Sequence, residues 1–204
     1  MVNKKVDEID LGNMYDFNVD TVSRTIFFMP WNNGGDLGPG WSRDEWMVDD
    51  WSAQSIIKGL HLLDILNHKP IDIIWLSYGG DWDAGMAIYD FITNIKSPVT
   101  LKAYGRMRSM GTILLQACKE RLLSKNCLFL MHYGHAWCEG HQKDVEAFVD
   151  HLKYDNTVME DIYLNKIRKK HPDFTRKRLQ DMIKYDKYMT AKEAVGLGLA
   201  DRVI

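Results

Sequence analysis

The chain has 204 residues, 46% of them hydrophobic and 26% charged, and a formal net charge of -2. That length suits one domain with a sizeable core, and the near-neutral balance excludes the broad basic face of a nucleic-acid binder. The opening residues have no secretory apolar core, no apolar run approaches the ~18–20 residues that cross a bilayer, and three cysteines without metal-type pairing fit a reduced, cytoplasmic protein.

Residues 1–23 are polar and weakly patterned, which reads as a mobile N-terminal arm ahead of a single domain over 24–204. Residues 24–29 read as a first strand. From Pro30 to Trp51 the composition shifts to glycines and tryptophans, and between Asp36 and Asp50 five acids face one arginine. So many turn residues beside aromatics suggest an ordered loop, which either covers its own domain or offers a docking surface. Ser52 is placed to cap a helix reaching Asn67, with Ile56, Leu60, Leu63 and Leu66 on one face.

Residues 71–76 form a short apolar run bounded by turn residues, the pattern of a buried strand. Tyr78, Gly79, Gly80 and Asp81 turn the chain, Asp83 opens a helix, and Pro98 precedes a strand over 99–104. Strand and helix in this alternation predict a parallel α/β sheet. A buried strand over 127–132 ends on His132, and a helix of about 27 residues follows from Lys143 to Lys169. At 1.5 Å per residue it spans about 40 Å, enough to pack on a neighbouring subunit as well as its own core. The basic residues at 166–170 and 176–178 read as the solvated side of helices. Thr190 and Glu193 make a capping box for a last short helix, which Gly198 ends.

Chemistry concentrates at Gly105-Arg-Met-Arg-Ser-Met-Gly111, where Ser109 falls at the handover from strand to helix. The first amides of a helix lack intrahelical partners and its dipole favours negative charge there, so a serine at this point can attack while nearby N–H groups hold an oxyanion. It can equally be a plain N-cap. His132 is the best-placed base, because parallel sheets gather functional groups at strand carboxyl ends; a histidine satisfied by the backbone is the simpler reading. Met107, two before the serine, departs from the G-x-S-x-G elbow of α/β-hydrolases. His132, His135, Cys138 and His141 are each potential zinc ligands, but their spacing matches no standard zinc pattern and, in an extended segment, alternate to opposite faces.

In order, these pieces resemble the Clp protease proteolytic subunit (ClpP) family of serine peptidases. Gly79-Gly80, Ala84-Gly85 and Ile88-Tyr89-Asp90 are similar to its P-G-G…A-G…I-Y-D segment. Gly105-x-x-x-Ser109-Met110-Gly111 resembles its nucleophile motif, Leu130-Met131-His132 its M-I-H, and the stretch from Tyr185 and Asp186 to Glu193 its R-D-x-F-M-S-A-x-E. Gly140 and Asp144 keep the spacing after the histidine. The resemblance implies Ser109 as nucleophile, His132 as general base and Asp186 as the carboxylate that orients it, with the N–H groups of Gly80 and Met110 as oxyanion donors and no metal or organic cofactor. It also implies a ClpP/crotonase-like α/β fold with a mostly parallel sheet and a strand-helix handle at about 132–170. Further implications are a homo-oligomer of two stacked heptamers, polypeptide substrates, and an AAA+ unfoldase as partner. The core itself would hydrolyse no ATP.

The departures are Tyr78 for proline, Met107 and Arg108 for a small pair, Tyr133 and Gly134 after the histidine, an insertion near 30–47, and Asp72 and Ile74 where tyrosines usually receive the ATPase. The implied function is a self-compartmentalising serine endopeptidase that cleaves unfolded polypeptide through an acyl-enzyme. Its rivals are a catalytically silent ring subunit of the same fold and a crotonase-type acyl-CoA enzyme, the latter having no need of Ser109, His132 and Asp186 together.

Overall fold

The structure, a computed structural model, describes residues 18–29 and 47–204. The expected arm at 1–17 and the tryptophan-rich loop at 30–46 lie outside the described residues. Residues 18–23, expected to close the arm, instead belong to a hairpin: β1 (Val19–Asp20) pairs antiparallel with β2 (Thr25–Phe28). Val19 is buried, and Asp20 accepts from the amides of Val22 and Ser23 to make the turn.

α1 (Asp50–Asn67) begins three residues earlier than its sequence pattern suggests. Asp49 is the cap and Ser52 completes a reciprocal box, its amide donating to the Asp49 carboxylate while the Asp49 amide donates to its hydroxyl. Near the other end of α1 the Asp64 carboxylate accepts from the Ser97 amide at 2.7 Å, fastening the helix to the turn before the central strand. Burial works against that carboxylate, yet the Ser97 and His68 bonds together hold its pKa below the usual aspartate value. A lowered folded pKa means that its stabilising contribution is present above the unfolded value of about 3.9 and is lost as the pH falls through the folded value. Asp64→Asn is therefore expected to have a lower urea midpoint than the parent at pH 7, with the gap closing on acidification.

β3 (Ile71–Ser77) alternates strictly, Ile71, Ile73, Trp75 and Ser77 pointing inward. α2 (Trp82–Asn94) starts one residue before Asp83, because the Asp81 carboxylate takes the Ala84 amide and serves as the cap. β4 (Val99–Arg108) runs four residues past its predicted end, right up to Ser109. The reason is a second partner. Its first half pairs in parallel with β5 (Glu120–Leu123), and its second half with β6 (Leu128–Met131). Gly105, with φ +69°, sits where the strand exchanges one neighbour for the other. β5 is too short and too charged to stand out in the sequence.

The sheet order is β1-β2-β3-β4-β5-β8, with β8 (Arg202–Val203) at the edge and the branch β6-β7 leaving β4. β7 (Lys187–Thr190) is antiparallel to β6; the other pairings from β2 onward are parallel. Around the sheet lie α3 (Met110–Ala117), the long α4 (Gln142–Ile167), α5 (Arg176–Ile183) and α6 (Ala191–Leu197), the last with the expected Thr190–Glu193 box and Gly198 in the left-handed region. The helix of the expected handle is thus present. Its strand is not assigned: residues 132–141 have no ladder partner among the described residues.

Trp75 anchors the core beneath the site. It is 1% exposed, stacks on Phe28 with ring centroids 4.3 Å apart, and lies against Gly111, where an added Cβ would come within 2.8 Å of its ring. Trp75→Ala is expected to lower unfolding free energy by about 3–5 kcal/mol, measured by urea denaturation, and to loosen α3 just behind Ser109.

Candidate active site

Strand register assembles this site. In the β3–β4 ladder Ser77 pairs with Met107, so two residues on Gly79 comes beside Ser109. In the β4–β6 ladder Arg108 pairs with Leu130, whose carbonyl accepts the Ser109 amide at 2.9 Å. His132 therefore leaves β6 next to the serine. In the antiparallel β6–β7 ladder Met131 pairs with Lys187, and one step further His132 stands across from Asp186.

The side chains meet accordingly. His132 Nε2 lies 2.8 Å from Ser109 Oγ, and His132 Nδ1 lies 3.3 Å from an Asp186 carboxylate oxygen. The imidazole is largely enclosed, at 15% exposure, while Asp186 is half exposed. Both ring nitrogens of His132 are thus engaged by protein groups, an arrangement that can pass a proton between the serine hydroxyl and the imidazole. His135 approaches only ring edge to face, with centroids 5.8 Å apart.

Ser109 has φ +49° and ψ -128°, a conformation that L residues rarely hold. Such strain persists only where surroundings over-determine it, and it gathers at functional positions. Here the surroundings are explicit. The Thr112 amide and hydroxyl both donate to the Ser109 carbonyl, at 2.9 and 2.6 Å. Thr112 has one hydroxyl proton, so the 2.6 Å contact with buried Tyr163 has the phenol donating, and burial raises the Tyr163 pKa and keeps that proton on. α4 is thereby tied to the turn that carries Ser109. The serine gives no side-chain cap to α3, which leaves its hydroxyl for the histidine.

Two glycines bring the β3–α2 loop against this turn. At Gly79 an added Cβ would stand 2.7 Å from Ser109 Cβ and 2.8 Å from the Met110 nitrogen. At Gly80, with φ +148°, it would strike the Val48 backbone at 2.2 Å. Val48 is bridged to this loop on both sides: its amide donates to the Gly79 carbonyl at 2.6 Å and its carbonyl accepts the Asp81 amide at 2.7 Å. Gly85 of α2 in turn makes room for the Met110 side chain, whose nearest atom an added Cβ would meet at 2.3 Å. The Met110 amide is the first of α3 and so lacks an intrahelical acceptor. Gly80 and Met110 thus lie on two backbone segments that converge beside Ser109.

Sequence reasoning reached the residues of this cluster but missed their supports. Val48, Thr112 and Tyr163 carry no motif signal; only the Gly79-Gly80 pair advertised a close backbone approach. Two of the departures turn out to contact one another. The Arg106 and Arg108 guanidiniums lie 4.0 and 5.2 Å from the Tyr78 ring centroid, a cation–π cluster on the strand ends that flank the site.

A family model described as Clp protease matches residues 45–204. The ATP-dependent Clp protease proteolytic subunit of Deinococcus radiodurans is 33% identical over 160 residues, 77% of this chain and 76% of that protein. Among solved structures, a ClpP1 mutant of Listeria monocytogenes superposes with a TM-score of 0.73 at 18% identity, covering 90% of this chain and 92% of its own, which shows the same fold. By both sequence and fold, the chain belongs to the Clp protease family.

Proposed function

We propose that the protein is a serine endopeptidase that cleaves unfolded polypeptides through an acyl-enzyme. The observation that carries this reading is the 2.8 Å contact between His132 Nε2 and the hydroxyl of a serine held at positive φ. Ser109 Oγ attacks the scissile carbonyl carbon while its proton passes to His132 Nε2. Asp186 accepts from Nδ1–H, fixing the tautomer and stabilising the imidazolium that forms. Negative charge on the tetrahedral oxygen is taken by the amides of Gly80 and Met110. His132 then gives its proton to the leaving amine, leaving Ser109 as an ester. Water repeats the sequence with His132 again as base, which frees the acid product and restores the serine.

The reading extends to assembly. The family relation and the 26-residue α4 favour a ring homo-oligomer of two stacked heptamers, with the 132–170 region making the contact between rings. An AAA+ unfoldase feeding such a chamber would meet an unusual surface. Asp72 is ion-paired with Lys102 at 2.6 Å, and Ile74 lies beside it on the same face of β3.

Digestion of an unfolded, fluorescently labelled polypeptide, with particle size recorded in the same sample, tests the function. Cleavage to short peptides by a large particle, without ATP or metal, is expected. An intact polypeptide after incubation with a well-formed ring would contradict it and favour the silent-subunit rival.

A further inference from the structure

Behind the candidate triad lies a polar network for which neither the fold nor the peptidase reading accounts. Its hub is Glu160 on α4, a carboxylate only 4% exposed. Burying an ionised carboxylate is costly unless its oxygens are fully bonded, and these are. The Tyr133 hydroxyl donates to it at 2.6 Å, the Arg176 guanidinium at 2.6 Å, and the Gln180 amide reaches both oxygens at 3.2 Å. Arg176 also pairs with Asp161. Burial and the adjoining Glu160 charge push the Tyr133 phenol well above its ordinary pKa, so it remains a donor.

The partners are placed where the triad needs support. Tyr133 is the residue after His132, at the point where the chain leaves β6 and enters the stretch 132–141, which has no ladder partner among the described residues. Arg176 and Gln180 belong to α5, which ends at Ile183 just before Asp186. The β6–β7 ladder fixes Met131 against Lys187 and stops there, so neither His132 nor Asp186 is itself held by a ladder bond. One buried carboxylate thus grips the two chain segments that carry the base and its orienting acid.

We infer that the Tyr133–Glu160–Arg176 network positions His132 between Ser109 and Asp186, with Tyr133 and Glu160 acting as positioning residues. The inference rests on the peptidase reading for its catalytic consequence, but the restraint on His132 does not. Without the Tyr133 hydroxyl, the chain after His132 is free to swing, and the imidazole spends less time in line with Ser109. Misplacement on the ångström scale lowers rate about ten- to a hundredfold without weakening substrate binding.

The test uses the full chain in its assembled form and compares wild type, Tyr133→Phe, Glu160→Gln and, as a control, Tyr154→Phe at an exposed tyrosine on the same helix. Two rates are read by mass spectrometry: carbethoxylation of His132 by diethyl pyrocarbonate, with His171 as internal reference, and phosphonylation of Ser109 by a fluorophosphonate. In Tyr133→Phe, His132 carbethoxylation should rise at least threefold relative to His171. Ser109 phosphonylation and kcat should fall about tenfold or more, with KM unchanged. Glu160→Gln, which keeps an acceptor for the phenol, should show a smaller change in the same direction, and Tyr154→Phe none. Rates within twofold of wild type in both network variants, or a rise in KM at constant kcat, would overturn the inference. A wild type that is never phosphonylated would remove the peptidase reading, while the carbethoxylation contrast would still decide the positioning role.

Discussion

Peptide hydrolysis by Ser109→Ala is expected to fall by about 10⁴- to 10⁶-fold, the loss seen when a serine nucleophile is deleted from an otherwise intact site. Structure should survive the change. Alanine inherits the same φ of +49° that serine already holds, so no new backbone strain arises, and the carbonyl bonds from Thr112 do not involve the side chain. Gly79 continues to pack on the Cβ, which alanine keeps. The thermal midpoint should therefore move by no more than a few degrees while kcat collapses. A variant that loses activity together with its fold would place Ser109 among structural residues instead.

Gly80→Ala should lower kcat by about 10²- to 10³-fold, the usual consequence of losing an oxyanion donor. Two physical effects act together there. A φ of +148° is accessible to glycine and strained for alanine, and the new methyl would stand 2.2 Å from the Val48 carbonyl oxygen. Since Val48 grips both Gly79 and Asp81, the methyl cannot be accommodated without breaking the bridge and swinging the Gly80 amide. KM should change far less than kcat, because the donor acts on charge that develops only in the transition state. Steady-state kinetics with an internally quenched peptide reads both parameters, and unaltered kcat would remove Gly80 from the oxyanion reading.

How much of this was legible in the sequence follows from how far each signal reaches along the chain. The apolar run over 71–76 and the helical spacing in α4 are local, and both elements stand where the pattern puts them. Caps were less sharp. Asp49 and Asp81 compete with Ser52 and Asp83 a few residues away, and which acid caps depends on where tertiary packing starts the helix. The continuation of β4 through 105–108 was hidden, because Gly105 reads as a turn unless a second partner strand is known. The site shows the same limit. Ser109 and His132 could be singled out from strand ends, whereas Asp186, 54 positions beyond His132, was one acid among many until the family resemblance selected it. Its proximity to His132 is a property of the β6–β7 register, which no local pattern encodes. Glu160 shows the same blindness: on a long polar helix it looks solvated, and only the fold of α5 and Tyr133 over it makes it buried.

Labelling with a fluorophosphonate, with the modified residue located by mass spectrometry, distinguishes an activated Ser109 from a silent one, since only a serine with a working base reacts at a useful rate. The expected result is stoichiometric modification at Ser109 in the wild type, none in Ser109→Ala, and slower modification in Asp186→Asn. A folded, oligomeric wild type that remains unmodified would contradict a serine peptidase at this site.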